Sequence, residues 1–523
     1  MKRTALYADP SGVFVHDAIL AACRRWPDKT AIVDSSSSPA RRLTYAEYGE
    51  TVERMARGLV SAGVRPGERV AIFLYNSWEF CAAYHAATLA GAVPTPMNPS
   101  YRDREVHYQL ENSGAAVLIS DGPLVGGVDR SGLALRRVYT VRSSAPGALP
   151  ISELLATSPA KLPQPVASPA ETLAALPYSS GTTGLPKGVE LTHANLVTNV
   201  YQFMAPGEMA TYTESDTALC VLPLYHIYGL NVVLNPILMM GATLLLMPRF
   251  DLPRLIGLLR DERPTFLPLV PPLMNALCQA AEQGAFPLDH SVRYVKSGAA
   301  PLPPEMAKRF TSLTGIKVRQ GYGMTEAAPV THIGRIEPEF YRPETIGAPV
   351  ALTDCRIVRE DGSDAGVGEA GELVMRGPQF MRGYWRAPQA TAAALRDGWY
   401  WSGDVACVDG EGNYRIVDRR KEMIKVKGFP VSPVEVESVL MEHPAVRDCG
   451  IVGRPDDEAG ELPCAFVVLR EDGTGSDKTR AELRDHVGQR LARYKQPHQI
   501  TFVASIPRTP SGKILRRELR KLL

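Results

Sequence analysis

A chain of 523 residues, 45% of them hydrophobic and 22% charged, can bury several cores and is long enough for more than one domain. The formal charge is only +2 and the two signs are interspersed, which excludes a global field that would demand nucleic acid or an anionic membrane as partner. The eight cysteines are scattered singly, without zinc-type spacing, and the start MKRTALYADPSG has no signal-peptide run, so we expect a cytoplasmic protein.

Short apolar runs alternate with longer amphipathic runs through the first two thirds of the chain. RVAIFLYN precedes SWEFCAAYHAATLAG, ATLLLMP precedes DLPRLIGLLRDE, and TFLPLV precedes PPLMNALCQAAEQ. Repeated strand-then-helix signals predict parallel sheets covered by helices, continuing through RYVKSG, a helix from Pro304 to Thr314 and IKVRQGYG. The most apolar stretch, Val221 to Met247, is interrupted by polar residues and predicts a buried helix and strand, not a transmembrane segment.

The sequence pattern changes near Ile346 to one that predicts short strands with Gly-rich turns, including a hairpin turn from Asp409 to Asn413. Beyond Asp418 we expect a hairpin, EMIKVKGFPV, and a helix that begins at the cap Ser432. The predicted fold class is therefore α/β. A large N-terminal domain of helix-covered sheets with a β-rich subdomain spans residues 1–418, and a small α+β C-terminal domain spans residues 419–523.

The segment YSSGTTGLPKG, residues 178–188, follows an apolar run and concentrates glycines, hydroxyls and one lysine. Glycines let backbone amides approach phosphate oxygens, hydroxyls add donors, and Lys187 supplies a point charge. It is not a Walker loop, because Lys187 is preceded by Pro and followed by Gly. We expect a nucleotide cradle rather than a plain surface turn, with phosphate contacts from Ser179, Ser180, Gly181, Thr182, Thr183, Gly184 and Lys187.

The string YSSGTTGLPKGVELTH resembles the signature of the adenylate-forming superfamily, which includes acyl-CoA synthetases, firefly-type luciferases and peptide-synthetase adenylation domains. KSGAAPL, QGYGMTEA, HIYGLN and VKGF are most similar to the 4-coumarate–CoA ligase branch. The resemblance covers essentially the whole chain and implies an ATP-dependent acid–CoA ligase that forms an acyl-adenylate and releases pyrophosphate and AMP. It implies ATP, Mg²⁺, coenzyme A and a small carboxylic acid. The alternative is an enzyme that loads the phosphopantetheine of a carrier protein, and the sequence leaves open a monomer or a homodimer.

GYGMTEA, residues 321–327, places an aromatic ring, a hydroxyl and a carboxylate at the end of a predicted strand, where ligands collect in open α/β sheets. By itself it could also be a plain loop. The resemblance implies that Tyr322 stacks on adenine, Thr325 contacts the α-phosphate and Glu326 holds Mg²⁺. A hard cation prefers such carboxylate oxygens.

The resemblance also assigns ribose binding to Asp404 and Arg419. A carboxylate accepts well from two vicinal hydroxyls, although a lone Asp is more often an ordinary turn residue. The small-residue segment 297–302 suits a flat group lying on backbone, and could equally be a tight strand-to-helix turn. The other implied nucleotide contacts are Gly298, Ala299, Ala300, Gln320, Gly321 and Gly323.

His226, in PLYHIYGLN, is a histidine within an apolar run, a position that is often a satisfied core group. In acyl-CoA synthetases the matching aromatic residue lies beside the substrate carboxylate and gates the thiol. Amino-acid-activating domains usually carry an Asp there, so an α-amino acid is disfavoured. The implied acid pocket suits an aryl, arylpropenoate or medium-chain acid and is lined by His226, Tyr228, Val232, Ala299, Gly323, Met324, Pro329 and Val330.

Two lysines of the small domain carry the implied mechanism. Lys513, in PRTPSGKILRREL, resembles the lysine that reaches the α-phosphate and the acid during adenylation, where a fixed cation stabilises the developing charge. On a basic terminal helix it could equally belong to a solvated face. Lys425 resembles the residue that enters the site for thioester formation after the small domain rotates about a hinge at Lys421.

The resemblance places coenzyme A against Lys427 and Gly428, with Arg249 on its phosphates. Pro430 departs from the branch pattern, in which Gln is common. Proline removes both a side-chain amide and a backbone donor, so one contact to the adenylate is expected to be missing.

Overall fold

Parallel strands covered by helices make up most of the molecule, and the α/β prediction is confirmed. The computed structural model describes residues 10–126, 128–156, 158–165, 167–179, 186–204, 212–335, 337, 341–419, 422–426, 429–456, 459–470, 475–509 and 512–523.

The α-helices of these residues are α1 Val15–Arg25, α2 Tyr45–Ser61, α3 Trp78–Leu89, α4 Asp103–Ser113, α5 Gly122–Val125, α6 Ser152–Leu155, α7 His193–Met204, α8 Asn235–Met239, α9 Leu252–Asp261, α10 Pro271–Glu282, α11 Pro304–Thr314, α12 Pro388–Ala394, α13 Pro433–Met441, α14 Asp477–Gly488 and α15 Arg516–Arg520.

The strands before the β-rich subdomain are β1 Thr30–Asp34, β2 Arg41–Thr44, β3 Arg69–Phe73, β4 Val93–Pro96, β5 Ala115–Ser120, β6 Arg137–Thr140, β7 Leu149–Pro150, β8 Leu173–Ala175, β9 Tyr178–Ser179, β10 Lys187–Thr192, β11 Thr217–Cys220, β12 Thr243–Leu246, β13 Phe266–Leu269, β14 Tyr294–Ser297, β15 Lys317–Gly323 and β16 Val330–Ile333. The later strands are β17 Ala348–Pro349, β18 Asp354–Val358, β19 Gly371–Arg376, β20 Gly383–Tyr384, β21 Leu395–Arg396, β22 Trp399–Val408, β23 Tyr414–Arg419, β24 Ile424–Val426, β25 Phe429–Val431, β26 Val446–Asp456, β27 Gly460–Leu469 and β28 Gln499–Phe502.

The largest sheet runs in the order β17-β16-β15-β14-β13-β11-β12-β1-β2, and its strands from β15 to β1 are parallel. A second parallel sheet runs β4-β3-β5-β6-β7. Strands such as β5 are buried throughout because helices cover both faces of these sheets, which is why they read as continuous apolar runs. The carboxyl ends of β14 and β15 lie side by side and bring the predicted segments 297–302 and 321–327 together.

The β-rich subdomain is an antiparallel sheet in the order β18-β19-β22-β21, with β23 paired to β22. The predicted hairpin turn is confirmed, since the Asp409 N–H donates to the Asn413 carbonyl at 3.0 Å between β22 and β23. Asp409 also accepts from the backbone N–H groups of Glu411 and Asn413 through its carboxylate. A smaller sheet, β20-β10-β8 with β9 paired to β10, pairs residues 187–192 with β20, which lies between β19 and β21 in the sequence.

The residues after Asp418 form their own sheet, β25-β24-β27-β26, with β28 parallel to β27. Ser432 caps α13 as predicted, accepting from the Glu435 N–H, while the Glu435 carboxylate pairs with Lys495. A Cβ on Gly488, the last residue of α14, would lie 2.5 Å from Nε2 of Gln496, so the chain passes this glycine at close range after the helix.

Apolar clusters that share no residue fill the two parts of the described chain. The boundary between residues 418 and 419 and the mobility of the smaller part stay predictions.

The Val221 to Met247 run forms a buried π-helical turn, Gly229–Leu234, followed by α8 and β12, which confirms a buried helix and strand. No described helix is both long and apolar enough to cross a membrane.

Polar residues within that apolar run belong to a buried hydrogen-bond chain. The Tyr48 hydroxyl lies 2.6 Å from Nδ1 of His85, and Nε2 of His85 lies 3.0 Å from Oδ1 of Asn235. Asn235 then donates to Asn231, whose Nδ2 donates to the Ala328 carbonyl at 2.6 Å. The chain links α2 to the turn that follows β15, and its direction fits a neutral imidazole.

Burial lowers the pKa of His85 to about 4. Between that value and about 6.5, the ordinary histidine pKa, the unfolded chain binds a proton that the folded chain does not, so stability falls as the pH falls through this window. Between about pH 7.5 and about pH 5.5, the unfolding free energy of wild type should fall by roughly 1.4 kcal/mol more than that of His85→Gln, as measured by urea denaturation. His498→Gln is the control because His498 is exposed, and it should follow wild type. Equal pH slopes for wild type and His85→Gln would contradict the prediction.

Candidate active site

The turn after β15 holds the predicted Thr325 and Glu326 in a 3₁₀ segment, Thr325–Ala327. The Met324 N–H donates to the Pro329 carbonyl at 3.0 Å, which folds the chain back toward β16. A Cβ on Gly323 would lie 1.9 Å from this Pro329 oxygen, so only glycine allows the close approach. The glycine at the end of β15 therefore lets the chain turn immediately after the strand, with Glu326 in that turn.

The Glu326 carboxylate joins three segments that are far apart in the sequence. Its Oε1 accepts from the Ser179 hydroxyl at 3.1 Å and from the Tyr384 hydroxyl at 2.8 Å. Lys187 pairs with Ser179 in the β9–β10 ladder, and its ammonium lies 5.3 Å from the Tyr384 ring centroid. Burial and the Glu326 carboxylate raise the pKa of Tyr384 above its ordinary value, so this phenol is a proton donor at neutral pH.

The predicted adenine and ribose residues also come together. The Tyr322 hydroxyl donates to Oδ2 of Asp404 at 2.5 Å, and Asp404 is opposite Arg419 in the β22–β23 ladder. The Asp404 backbone N–H donates to the Ser402 hydroxyl, which itself donates to the Leu373 carbonyl. The buried carboxylate is thus fixed beside an aromatic ring at the sheet edge, an arrangement able to bind a nucleoside.

His226 lies at the start of the π-helical segment, and its Nδ1 accepts from the Tyr228 N–H at 3.2 Å. Burial and the nearby Lys513 ammonium lower the pKa of His226 to about 4. The imidazole is therefore neutral at physiological pH, with its proton on Nε2. The Tyr228 hydroxyl donates to the Lys296 carbonyl at 2.8 Å and ties this segment to β14.

Other predicted acid-pocket residues surround Tyr228. A Cβ on Gly298 would lie 3.3 Å from the Tyr228 ring, and Ala299 adopts a positive φ of 67° in the turn after β14. Val330 exchanges two backbone hydrogen bonds with the Asn199 side chain of α7, at 3.0 and 2.7 Å. Val232 and Pro329 are buried, whereas Met324 is half-buried. Small and apolar residues thus surround Tyr228.

Among the predicted small-residue contacts, Ala300 lies in the same turn as Ala299, and the Gly321 carbonyl would lie 3.4 Å from a Cβ on Gly298. Gln320 is turned toward the subdomain, where its Nε2 donates to the Thr345 carbonyl at 2.9 Å. Gly298 and Gly321 thus form a narrow strip of bare backbone between two strand ends, and the buried Oε1 of Gln320 has no hydrogen-bond partner among the described residues.

Lys513 precedes α15 rather than lying on it, in a turn where its backbone N–H donates to the Thr509 hydroxyl at 3.0 Å. Gly512 packs on α10, since a Cβ there would lie 3.2 Å from Cδ of Pro272. Arg508 spans the turn by donating to the Gly512 carbonyl. The small domain therefore presents Lys513 to the large one beside His226.

Two arginines anchor this turn within the small domain. Arg508 is paired with Asp448 through contacts of 2.6 and 3.3 Å. Arg516 bridges Glu437 on α13 and the Ile451 carbonyl on β26, and it is largely buried. The basic C-terminal run is thus not simply a solvated face, because Arg516 forms a buried ion pair.

Some predicted contacts lie elsewhere or cannot be placed. Lys425 is exposed on β24, where its N–H donates to Glu461. Arg249 is exposed and stacks 3.8 Å above the Tyr75 ring centroid. The predicted contacts outside the described residues are Ser180, Gly181, Thr182, Thr183, Gly184, Lys421, Lys427 and Gly428.

Tyr384 was not predicted from the sequence, although it donates to Glu326 and its ring centroid lies 5.3 Å from the Lys187 ammonium. Its only sequence signal is an aromatic pair after a glycine in RGYW, and the pairing of β20 with β10 that brings it to the site is not visible in the sequence. The arginine anchors of the Lys513 turn were missed too, because they lie within a run of like charges.

The residues around Glu326 fit a cation carried by phosphate oxygens. Both hydrogen bonds that described residues donate to the Glu326 carboxylate fall on Oε1, which leaves Oε2 for a hard cation. Within the described ranges, no group of three or more His, Cys, Asp or Glu side chains could hold a metal alone. A Mg²⁺ ion here would be held by one carboxylate of the protein together with phosphate oxygens of the nucleotide, as is common for Mg²⁺.

Comparison with known proteins gives matches over nearly the whole chain. Residues 19–385 match the model of the AMP-binding enzyme family, and residues 435–513 match that of the AMP-binding enzyme C-terminal domain. The 4-coumarate–CoA ligase 3 of Arabidopsis thaliana is 40% identical over 95% of this chain and 89% of its own length. An anthranilate CoA ligase in complex with anthranoyl-AMP is similar with a TM-score of 0.88 and 27% identity, covering 99% of both chains. A benzoate CoA ligase from Burkholderia xenovorans is similar with a TM-score of 0.87 and 30% identity, covering 97% of this chain and 100% of its own.

Gly323→Ala tests the close approach below β15. The added methyl group would overlap the Pro329 carbonyl, so we expect the unfolding free energy to fall by about 1–3 kcal/mol in denaturant titration. Gly257→Ala is the matched control, because its Cβ would have no neighbour within 4 Å and α9 should gain about 0.5–1 kcal/mol. A Gly323→Ala protein as stable as wild type would show that the turn is not constrained.

Proposed function

We propose that this chain, which belongs to the AMP-binding enzyme family, is an ATP-dependent acid–CoA ligase that works through an acyl-adenylate. Its overall reaction joins a carboxylic acid to coenzyme A and converts ATP to AMP and pyrophosphate. CoA ligases recur among its relatives and among the solved structures that it resembles, which supports this assignment.

The observation that carries the proposal is the convergence of distant segments on one edge of the large sheet. Lys187, Glu326 and Tyr384 form one cluster, and Tyr322 with Asp404 forms a second beside it. Lys513 reaches His226 from the far end of the chain. Phosphate, nucleoside and acid ligands would each find groups of suitable charge there.

In the first half-reaction an oxygen of the acid attacks the α-phosphorus of ATP, forming one P–O bond while the bond to pyrophosphate breaks. We assign Lys513 to the α-phosphate and the acid, where its ammonium offsets negative charge in the transition state. Neutral His226 is suited to donate from Nε2 to the acid carboxylate without drawing it into an unreactive ion pair. Thr325 and Lys187 would position the phosphates.

The Glu326 carboxylate is assigned to Mg²⁺, which when bound with ATP would neutralise phosphate charge and favour departure of pyrophosphate. Tyr384 and Ser179 hold the Glu326 carboxylate in one orientation by donating to its Oε1. Asp404 and Arg419 are assigned to the ribose, and Tyr322 to the adenine ring.

In the second half-reaction the thiol sulfur of coenzyme A attacks the acyl carbon and AMP leaves. We propose that residues 419–523 rotate as a domain against residues 1–418 about a hinge at Lys421, withdrawing Lys513 and presenting Lys425. Exposure of Lys425 on β24 is consistent with a role in another orientation. Lys427, Gly428 and Arg249 are assigned to coenzyme A.

The acid is proposed to be an aryl, arylpropenoate or medium-chain carboxylic acid, bound against Tyr228, Val232 and Val330. The names of the relatives favour an aromatic acid, since they act on 4-coumarate, anthranilate and benzoate. All eight cysteines are described as free thiols, which fits the proposed cytoplasmic location.

Pyrophosphate release tests the function. Purified protein with ATP, Mg²⁺ and a panel of acids should release pyrophosphate only when an acid is present, and should accumulate AMP and acyl-CoA when coenzyme A is added. A thiol on a carrier protein, offered in place of coenzyme A, should be a poorer acceptor. If no acid in a broad panel releases pyrophosphate, the assignment is wrong.

Substitution of the two lysines separates the half-reactions. We expect Lys513→Ala to lower acid-dependent pyrophosphate release on the order of 100- to 1,000-fold, because a charge at the reacting phosphorus is lost. Lys425→Ala should spare adenylate formation and slow only thioester formation from isolated adenylate, followed by single-turnover kinetics. Equal losses in both half-reactions for both variants would contradict the division of labour.

Tyr384→Phe tests the orientation of Glu326. The phenyl ring can still lie beside Lys187, but the hydrogen bond to a charged acceptor is lost, so kcat/KM for pyrophosphate release should fall by about tenfold. Tyr139→Phe, at a buried tyrosine on β6, is the matched control and should retain wild-type kinetics. Unchanged kinetics in Tyr384→Phe would remove this tyrosine from the site.

A further inference from the structure

Two buried cations lie side by side in the largest sheet. Lys296 on β14 is the direct register partner of Arg319 on β15, and the residues are 2% and 1% exposed. Among the residues that the structure describes, Nζ of Lys296 and the Nε and Nη1 atoms of Arg319 are buried without a hydrogen-bond partner. Glu337 attracts the Arg319 guanidinium from beyond salt-bridge distance, so these three nitrogen atoms have no bonded acceptor among the described residues.

Aromatic faces compensate these charges only in part. Nζ of Lys296 lies 4.4 Å from the Phe203 ring centroid, and the Arg319 guanidinium lies 5.0 Å from the Tyr294 ring centroid. Burial, with the charge of Arg319 as a second cause, lowers the pKa of Lys296 to about 7. The interior therefore disfavours the charged lysine, and an added anion would relieve both side chains.

The cations lie behind the proposed acid pocket, on the same face of the sheet. The Tyr228 hydroxyl binds the Lys296 carbonyl, and a Cβ on Gly321 would lie 3.4 Å from Cε of Lys296. Phe203 is one helical turn beyond Asn199, which holds the backbone of Val330. Residues that alternate along a strand share a face, so Arg319 lies on the same face of β15 as Gly321.

The position of a residue along β15 determines its distance from the turn of Thr325 and Glu326, where the acid is proposed to react. Gly323 is next to the turn of Thr325 and Glu326, and Arg319 is four residues earlier on the strand. Four residues of strand span roughly 13 Å between Cα atoms, and the long side chains of Lys296 and Arg319 reduce the gap that an acid must span. A bound acid whose carboxylate is near His226 would therefore extend its far end toward Lys296 and Arg319.

We propose that the acid activated by this enzyme carries a second carboxylate at its far end, and that Lys296 and Arg319 bind it. The inference rests on the proposed function and narrows its substrate class to dicarboxylic acids with an aromatic or extended middle. One carboxylate can accept from the ammonium and the guanidinium together, which makes charge-assisted hydrogen bonds with both. A methyl end would leave both cations unpaired, and a neutral hydroxyl would leave two charges uncompensated.

Matched acids test the inference. Cinnamic acid and its 4-carboxy derivative form one pair, and octanoic and octanedioic acids form another, each assayed by pyrophosphate release with ATP and Mg²⁺. We expect the wild type to favour the diacid of the better pair by at least about tenfold in kcat/KM, because the monoacid leaves buried donors unpaired. In Arg319→Gln and Lys296→Met the ratio should fall or invert in favour of the monoacid.

Lys317→Met is the matched control, since Lys317 is an exposed cation on the same strand two residues before Arg319, and its diacid ratio should equal that of wild type. Folding is followed separately by the unfolding temperature. We expect 4-carboxycinnamic acid to raise it in wild type but not in folded Arg319→Gln.

The outcomes are distinguishable. A wild type that releases pyrophosphate with monoacids but not diacids, or a diacid ratio that Arg319→Gln leaves unchanged, would overturn this inference and leave the ligase proposal standing. The absence of release with any acid would overturn the ligase proposal and this inference with it.

Discussion

The site depends on one buried carboxylate. Glu326 is 7% exposed, and burying a polar group so far from water costs free energy unless it is hydrogen-bonded. Ser179 and Tyr384 supply those hydrogen bonds from strands that are widely separated in the sequence, so satisfying Glu326 also fixes β9 and β20 against the end of β15. The Lys187 ammonium is carried into place by the same ladder. The geometry of the phosphate region is thus a consequence of the need to pair Glu326.

A second constraint acts on the small domain, which must deliver a flexible lysine side chain to a defined point. The turn that carries Lys513 is short and is anchored on both sides, by Arg508 on Asp448 and by Arg516 on Glu437. Glu422, close to the proposed hinge, lies 3.8 Å from Arg516 and 2.8 Å from Arg520. Ion pairs whose two partners lie within one domain stiffen it without tying it to the other, which suits a part that is proposed to rotate as a unit.

Local patterns in the sequence predicted most of the fold, because strand runs, helix caps and turn residues act over a few neighbouring positions. The helix Pro304–Thr314 and the turn at Asp409 show this directly. The candidate phosphate and nucleoside residues were predicted from contiguous motifs. Tyr384 and the Asn231–Asn235 hydrogen bonds could not be predicted in this way, because they arise from pairings between distant segments.

The buried cations illustrate how unbonded donors, which lower stability, can serve to discriminate among substrates. Lys296 and Arg319 leave three buried nitrogen atoms unbonded, a cost that a stable core would normally remove by substitution with apolar residues. Discrimination by shape alone is weak, because an extra or missing methylene changes binding by only about 1–3 kcal/mol. Unpaired buried donors discriminate far more strongly, since a substrate without the matching acceptor must leave them desolvated and unbonded. The cost of these unbonded donors in the free protein and the selectivity of the proposed pocket therefore have the same physical origin.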